Sequence, residues 1–234
     1  MLIIAQRSLF TNIPLKETIA LAVDVLAENK ACGKLSRSQL TKLFVYATSM
    51  NHFLFKGCLY DQIDGVAMGS PSGPTHANLF MGHHEQKWIE DFTEGDVLMY
   101  QRYDDDIFCV FQSKEVADKF YNFINAKHPN IKFTCEPAVE GRLPFLDILI
   151  ENLKARTSTR VYRKPTFTGL YTNFLSFTPF MYNVGLIRCL LYRASRLCSS
   201  WENFHQEVQN IHKNLHKNSF PQQLLDKITS SFIT

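Results

Sequence analysis

The stretch that most constrains this chain is Val97–Phe111, VLMYQRYDDDIFCVF. Here three consecutive carboxylates, Asp104, Asp105 and Asp106, separate two short runs rich in aromatic and β-branched residues. Runs of that composition bounded by an Asp cluster imply two strands joined by a tight turn. The three charges repel one another at the tip of an otherwise apolar hairpin. These residues alone leave two readings open. One is a solvated Asp-rich turn; the other is a carboxylate cluster relieved by a divalent cation, since Mg²⁺ is commonly held by one or two carboxylates plus substrate phosphates.

A chain of 234 residues can bury a sizeable core, in one large domain or in a domain plus a helical appendage. Its 45% hydrophobic and 20% charged content is ordinary for a globular protein. No apolar run reaches the length of a membrane span, and Met1–Ala5 is too short for a signal peptide. The six cysteines (32, 58, 109, 135, 189, 198) form no Cys-x-x-Cys pair, so they are expected to be buried free thiols of an intracellular protein. The net charge of +3 is unevenly spread. Residues 154–217 hold ten Lys or Arg against two acids, Glu202 and Glu207, which is +8 for the window and leaves −5 for the remainder. A basic half beside an acidic one suits a polyanion partner held against a metal-binding centre, or simply a solvated basic face.

Along the chain, a short strand leads to Ser8–Pro14, and residues 16–29 show helical periodicity with Ile19, Ala22, Val23 and Leu26 on one face. Ser36 or Ser38 can cap a second helix to about Ser49, and residues 53–60 are extended. A Gly/Ser/Pro-rich loop ends near Pro74, where a helix through Trp88 and Phe92 begins. Ser113 can cap a helix burying Val116, Phe120, Phe123 and Ile124. Three strands are expected at Ile131–Cys135, Leu143–Ile150 and Arg160–Thr166, with a turn at Glu140-Gly141-Arg142. Helices then occupy roughly 181–197, 201–216 and 221–232. Strands with crossing helices followed by helices alone define an α+β sheet domain with a C-terminal helical bundle.

Five ordered motifs carry a resemblance: Ser8-Leu-Phe-Thr-Asn-Ile-Pro14, Gln62-Ile-Asp-Gly-Val-Ala-Met-Gly-Ser-Pro71, Tyr103-Asp-Asp-Asp106, Leu143-Pro-Phe-Leu-Asp147 and Tyr162-Arg-Lys-Pro-Thr166. Together they resemble the reverse transcriptase of Penelope-like retroelements, with Met68 before Gly69-Ser70-Pro71 typical of that group. The resemblance covers nearly the whole chain. It implies a polymerase palm-type antiparallel sheet with packed helices at 1–167, fingers largely missing, and an all-helical, helix-turn-helix-like thumb at 168–234. It implies RNA-directed DNA synthesis on an RNA template with a DNA primer and dNTP, through Mg²⁺ or Mn²⁺, and a nuclear location. Asp105 would be the principal metal ligand and Asp106 its neighbour. Phe10, Gly69, Ser70, Pro71 and Asn78 would contact the nucleotide, Phe10 screening the sugar 2′ carbon. The Leu143–Thr166 region would seat the primer end, and Arg163, Lys164, Arg188, Arg193 and Arg196 would contact nucleic acid.

Three residues depart from the pattern: Ser72 stands where Leu is common, Asp104 adds a charge beside the hairpin pair, and the third removes a carboxylate. The family places an Asp three residues before the first Ser; counting back from Ser8 gives Ala5. In two-metal nucleotidyl transfer, that carboxylate bridges both ions with the hairpin pair, and a methyl group cannot replace it. The expectation is a truncated copy without primer extension, either an inactive polymerase or a nucleic-acid-binding remnant of one. A sequence-selective helix-turn-helix regulator using residues 179–217 is a third, weaker reading. His205, His212 and His216 lie along one helix, an arrangement that cannot surround a tetrahedral metal, and His83-His84 suggests no more. Phe120, Phe123, Phe133 and Phe145 suit a core better than a base-stacking platform.

Overall fold

Leu2–Gln6 (β1) is apolar up to its last residue, Gln6, as suits a strand paired on both sides. It pairs antiparallel with Asp106–Phe111 (β5) on one edge and Phe133–Pro137 (β6) on the other. Val97–Tyr103 (β4) completes the order β4-β5-β1-β6. Alternation sends Ile107, Cys109 and Phe111 to one face, where Leu2, Ile4 and Phe133 join them. That face packs on Phe80, Met81 and Trp88 of Gly73–Glu90 (α4) and on Phe120 and Ile124 of Lys114–Lys127 (α5). Ser113 caps α5 by accepting a hydrogen bond from the Val116 amide at 3.3 Å.

The computed structural model describes every residue except 32, 50, 154, 155 and 234, so Cys32 and Lys154 lie outside the described residues. They fall into two compact units, Met1–Pro137 and Ala138–Thr234. In the first, a short helix Leu9–Asn12 (α1) precedes Leu15–Glu28 (α2) and Arg37–Thr48 (α3), which share a small core of Ile19, Val23 and Leu40. Ser36, with Gln39, forms the capping box that starts α3. His52–Phe55 (β2) and Cys58–Asp61 (β3) make a separate hairpin whose residues are all exposed.

In the second unit, Arg142–Phe145 (β7), Ile148–Asn152 (β8) and Thr157–Val161 (β9) form an antiparallel meander. Phe180–Leu197 (α6), Trp201–Lys217 (α7) and Gln222–Ile233 (α8) follow. Ile187, Leu191, Ile211, Leu215, Phe220 and Leu225 are its buried centre. The α+β class is as expected. The boundary of compactness precedes the expected palm–thumb boundary because β9 packs on α6 and α7.

Several local expectations are corrected. Leu143–Ile150 is two strands, not one, because Leu146 adopts a left-handed φ of 52° and turns the chain so that Phe145 faces Ile148. The next strand ends at Val161, before Pro165, which has no N–H to donate to a ladder. Lys164–Phe167 is instead a turn, with the Phe167 amide donating to Lys164 O at 2.9 Å. The strand placed at Ile131–Cys135 begins at Phe133 and runs to Pro137. Among the described thiols, all free, Cys109 is buried, whereas Cys58 and Cys189 are exposed. Phe120 and Phe133 are core residues, and Phe123 packs against that core. No described helix is long and apolar enough to cross a membrane.

Candidate active site

The β4–β5 hairpin pairs Tyr103 with Asp106, leaving Asp104 and Asp105 as a two-residue turn. Asp104 takes a left-handed φ of 51°, which a short polar side chain tolerates. In the neighbouring ladder Ala5 is the direct partner of Asp106, and Thr134 is the partner of Ala5 on the other side. Directly opposed residues project to the same face, with Cα atoms about 5 Å apart. Tyr103, Asp106, Ala5 and Thr134 therefore form one row across all four strands, on the face opposite the core. The Gln6 amide donates to Asp105 O at 2.8 Å, tying the turn to the end of β1.

A polar network beneath the hairpin holds it on α4. Glu85 accepts from the Tyr100 hydroxyl at 2.7 Å, and Arg102 Nε lies 2.7 Å from the same carboxylate oxygen. Arg102 Nη1 also donates to Asn78 Oδ1 at 2.7 Å and to the Asp104 carbonyl at 3.1 Å. Burial, then the Glu85 charge, pushes the Tyr100 hydroxyl far above its ordinary range, so it stays a donor. Burial likewise pushes the Cys109 thiol up to about 12. Glu85 and Arg102 were missed in the sequence. Their signal was the strand alternation of residues 100 and 102 together with the helical spacing of 78 and 85.

The Gly/Ser/Pro loop borders a cleft of about 970 Å³, lined by Gly69, Ser70, Pro71 and Met68 with Thr11, His52 and Asp64. Successive turns shape the loop: the Ser70 amide donates to Ala67 O and the Gly73 amide to Ser70 O. Gly65 has a φ of 76°, and a Cβ there would lie 2.4 Å from Thr11 O, so only glycine fits. Asp64 accepts from the Leu15 and Gly65 amides, an anchoring role away from the hairpin. Phe10 packs on the core and against the start of α4, and it is Thr11 that lines the cleft. Asn78, bonded to Arg102, belongs with the hairpin.

In the second unit the basic residues divide. Arg163 makes a bidentate ion pair with buried Glu207, and that hydrogen bonding raises the guanidinium pKa further. Arg193 pairs with Asp147 at 3.0 Å. Lys164, Arg188 and Arg196 are exposed. His212 bonds Thr229 across α7 and α8 at 2.8 Å, a packing role, while His84 bonds Glu17 and stacks on Trp88.

The donor set does not fit a bridged pair of divalent ions. Ala5 supplies no oxygen from its side chain, and among the described residues no three His, Cys, Asp or Glu side chains are grouped to hold a metal. Asp105 and Asp106 remain as two adjacent carboxylates.

Residues 170–230 match the model of the animal helix-turn-helix domain. No curated protein matches the sequence. Among solved structures, the chain is similar to telomerase from Candida albicans in complex with a TWJ fragment of telomeric RNA, at 11% identity and a TM-score of 0.59, over 98% of this chain and 40% of that one. It is similar to apo telomerase from Candida tropicalis at 14% identity and a TM-score of 0.52, over 98% and 42%. The Sicinivirus 3Dpol RNA-dependent RNA polymerase follows at 13% identity and 0.51, over 99% and 51%. The chain thus has a polymerase-like fold and spans about half or less of the length of these structures.

Proposed function

We propose that this chain is the palm-and-thumb part of a reverse transcriptase of the Penelope-like type that holds an RNA template with its DNA primer but does not extend it. The register of Ala5 against Asp106 carries this reading. The position that the family's first carboxylate would occupy lies directly beside the Asp hairpin, on the same face, and it holds a methyl group. The ordered motifs and the polymerase-like fold support the ancestry, and the basic residues 154–217 support a nucleic-acid partner. A nuclear location goes with the same reading.

Primer extension on an RNA template with Mg²⁺ or Mn²⁺, run beside Mn²⁺ titration by electron paramagnetic resonance, tests it. The chain as it stands gives no extension, and Ala5→Asp tightens Mn²⁺ binding by roughly tenfold or more, as expected when a third carboxylate joins the site. Robust extension by the unaltered chain would overturn the proposal. The helix-turn-helix match at 170–230 favours one second reading, a duplex-binding regulator. Selection from random duplexes separates the two, because template–primer holding enriches no sequence.

A further inference from the structure

The second unit contains a cavity to which the sequence motifs contribute only Arg163. It measures about 290 Å³ and lies between the turn after β9 and one face of α7. Asn210, Lys213, Asn214 and Lys217 supply that face, at the i, i+3, i+4, i+7 spacing of a single helical stripe. Opposite them stand Phe167 and Gly169. No acid is among the described lining residues. Arg163 also lines the cavity, but its charge is already matched by Glu207, so Lys213 and Lys217 leave the cavity with an excess of two positive charges.

Its walls are held in place. Asn218 donates to Gly169 O at 2.8 Å and accepts from the Tyr171 amide at 3.1 Å, pinning the turn to the end of α7. Gly169 has a φ of 75°, and a Cβ there would lie 2.8 Å from Asn214 Oδ1, so glycine lets the two walls approach. The Arg163 guanidinium carbon sits 5.4 Å from the Phe167 ring centroid, and Tyr171 meets that ring edge-on. Yet Phe167 remains 41% exposed. By contrast, the side chains of Asn210, Lys213, Asn214 and Lys217 make no hydrogen bond or ion pair among the described residues. A buttressed aromatic ring, two amides and two ammonium groups thus converge on a cavity near the small end of the range for ligand sites.

We propose that this cavity binds one nucleotide: the base stacks on Phe167, Asn210 and Asn214 hydrogen-bond its edge, and Lys213 and Lys217 hold the phosphate. The inference deepens the nucleic-acid-binding reading above by naming a site for a single-stranded nucleotide. A free mononucleotide presents the same chemistry, so both sources enter the test.

Fluorescence anisotropy of the full chain with a labelled single-stranded RNA, over a salt series, is the measurement, with AMP and inorganic phosphate as competitors. Phe167→Leu weakens strand binding about tenfold, and Phe167→Trp preserves or strengthens it, as stacking requires. Lys213→Gln with Lys217→Gln lowers the slope of log affinity against log salt by about 0.7, the share of one phosphate. Lys16→Gln with Lys227→Gln removes the same charge elsewhere and leaves the slope unchanged. Circular dichroism melts verify that each variant folds. Displacement by AMP assigns the site to the nucleotide chemistry, and strand affinity well above AMP affinity assigns the source to a strand rather than a free nucleotide. Equal displacement by inorganic phosphate, or a Phe167→Leu chain that binds as the parent does, overturns the proposal. If template–primer duplex still binds in that case, the broader reading stands and only this site falls. A parent chain that binds no strand, duplex or AMP fails both.

Discussion

The two units hold their distinctive residues in different ways. In Met1–Pro137 the row Tyr103, Asp106, Ala5 and Thr134 comes from four strands spread over more than a hundred positions of sequence. In Ala138–Thr234 the polar stripe of α7 is one turn of helix repeated, and a short preceding segment completes its cavity. A row assembled across a sheet depends on every strand, so a change in any one strand alters a position that no neighbour in sequence can fill. A site on a helical stripe has redundant neighbours one turn away. The same contrast holds for packing. The first unit spreads its apolar residues over a sheet core, a small α2–α3 core and a fully exposed β2–β3 hairpin, a structure marginal by itself. The second concentrates them between α6, α7 and α8.

The largest expected effect breaks this contrast at its centre. Phe120 is fully buried and meets the rings of Phe92, Tyr100 and Phe111. Phe120→Ala should cost about 3–5 kcal/mol. Amide exchange should show lost protection in β5 and α5, with α7 amides unchanged; equal loss in both units would show that their stabilities are one.

Smaller, and confined to the second unit, is the Arg163–Glu207 pair. Arg163→Ala leaves the Glu207 carboxylate buried without its cation and should cost about 3 kcal/mol in urea denaturation. Arg193→Ala removes a pair whose acid, Asp147, is exposed, and should cost under about 1 kcal/mol. Similar losses from both would mean that Arg163 is no better anchored than a surface cation.

The smallest effect sharpens a feature the units share. Burial is the main cause lowering the pKa of His84 in the first unit and of His212 in the second. Each histidine therefore binds a proton more readily when unfolded. The stability held by the neutral rings is complete above about pH 6.5 and declines as pH falls below it towards the depressed folded values. Melting temperatures measured from pH 7.5 down to pH 5 should fall, and the fall should shrink in His84→Gln and in His212→Gln. An unchanged pH slope in both variants would assign the acid sensitivity to other groups.

Local physics made much of this legible in advance. The Asp hairpin was visible because strand alternation and turn chemistry act over a few residues, and the capping serines of α3 and α5 were visible for the same reason. The break at Leu146 was not: leucine is a poor left-handed residue, and nothing in Leu143–Ile150 marks a turn there. Arg163 reads in sequence as one cation in a basic run, and only the fold, which brings α7 beside it, shows it to be a buried partner of Glu207.

The sequence by itself determined the class of fold, the order of the longer helices and the motifs, because periodicity and turn residues are local properties. Only the tertiary structure decided what the Asp hairpin faces. Strand pairing over long separations placed Ala5 opposite Asp106, and packing of α4 against the sheet placed Glu85 and Arg102 beneath Asp104. Neither arrangement follows from spacing alone, since register and helix packing are settled by the burial of the whole core rather than by any one stretch of chain.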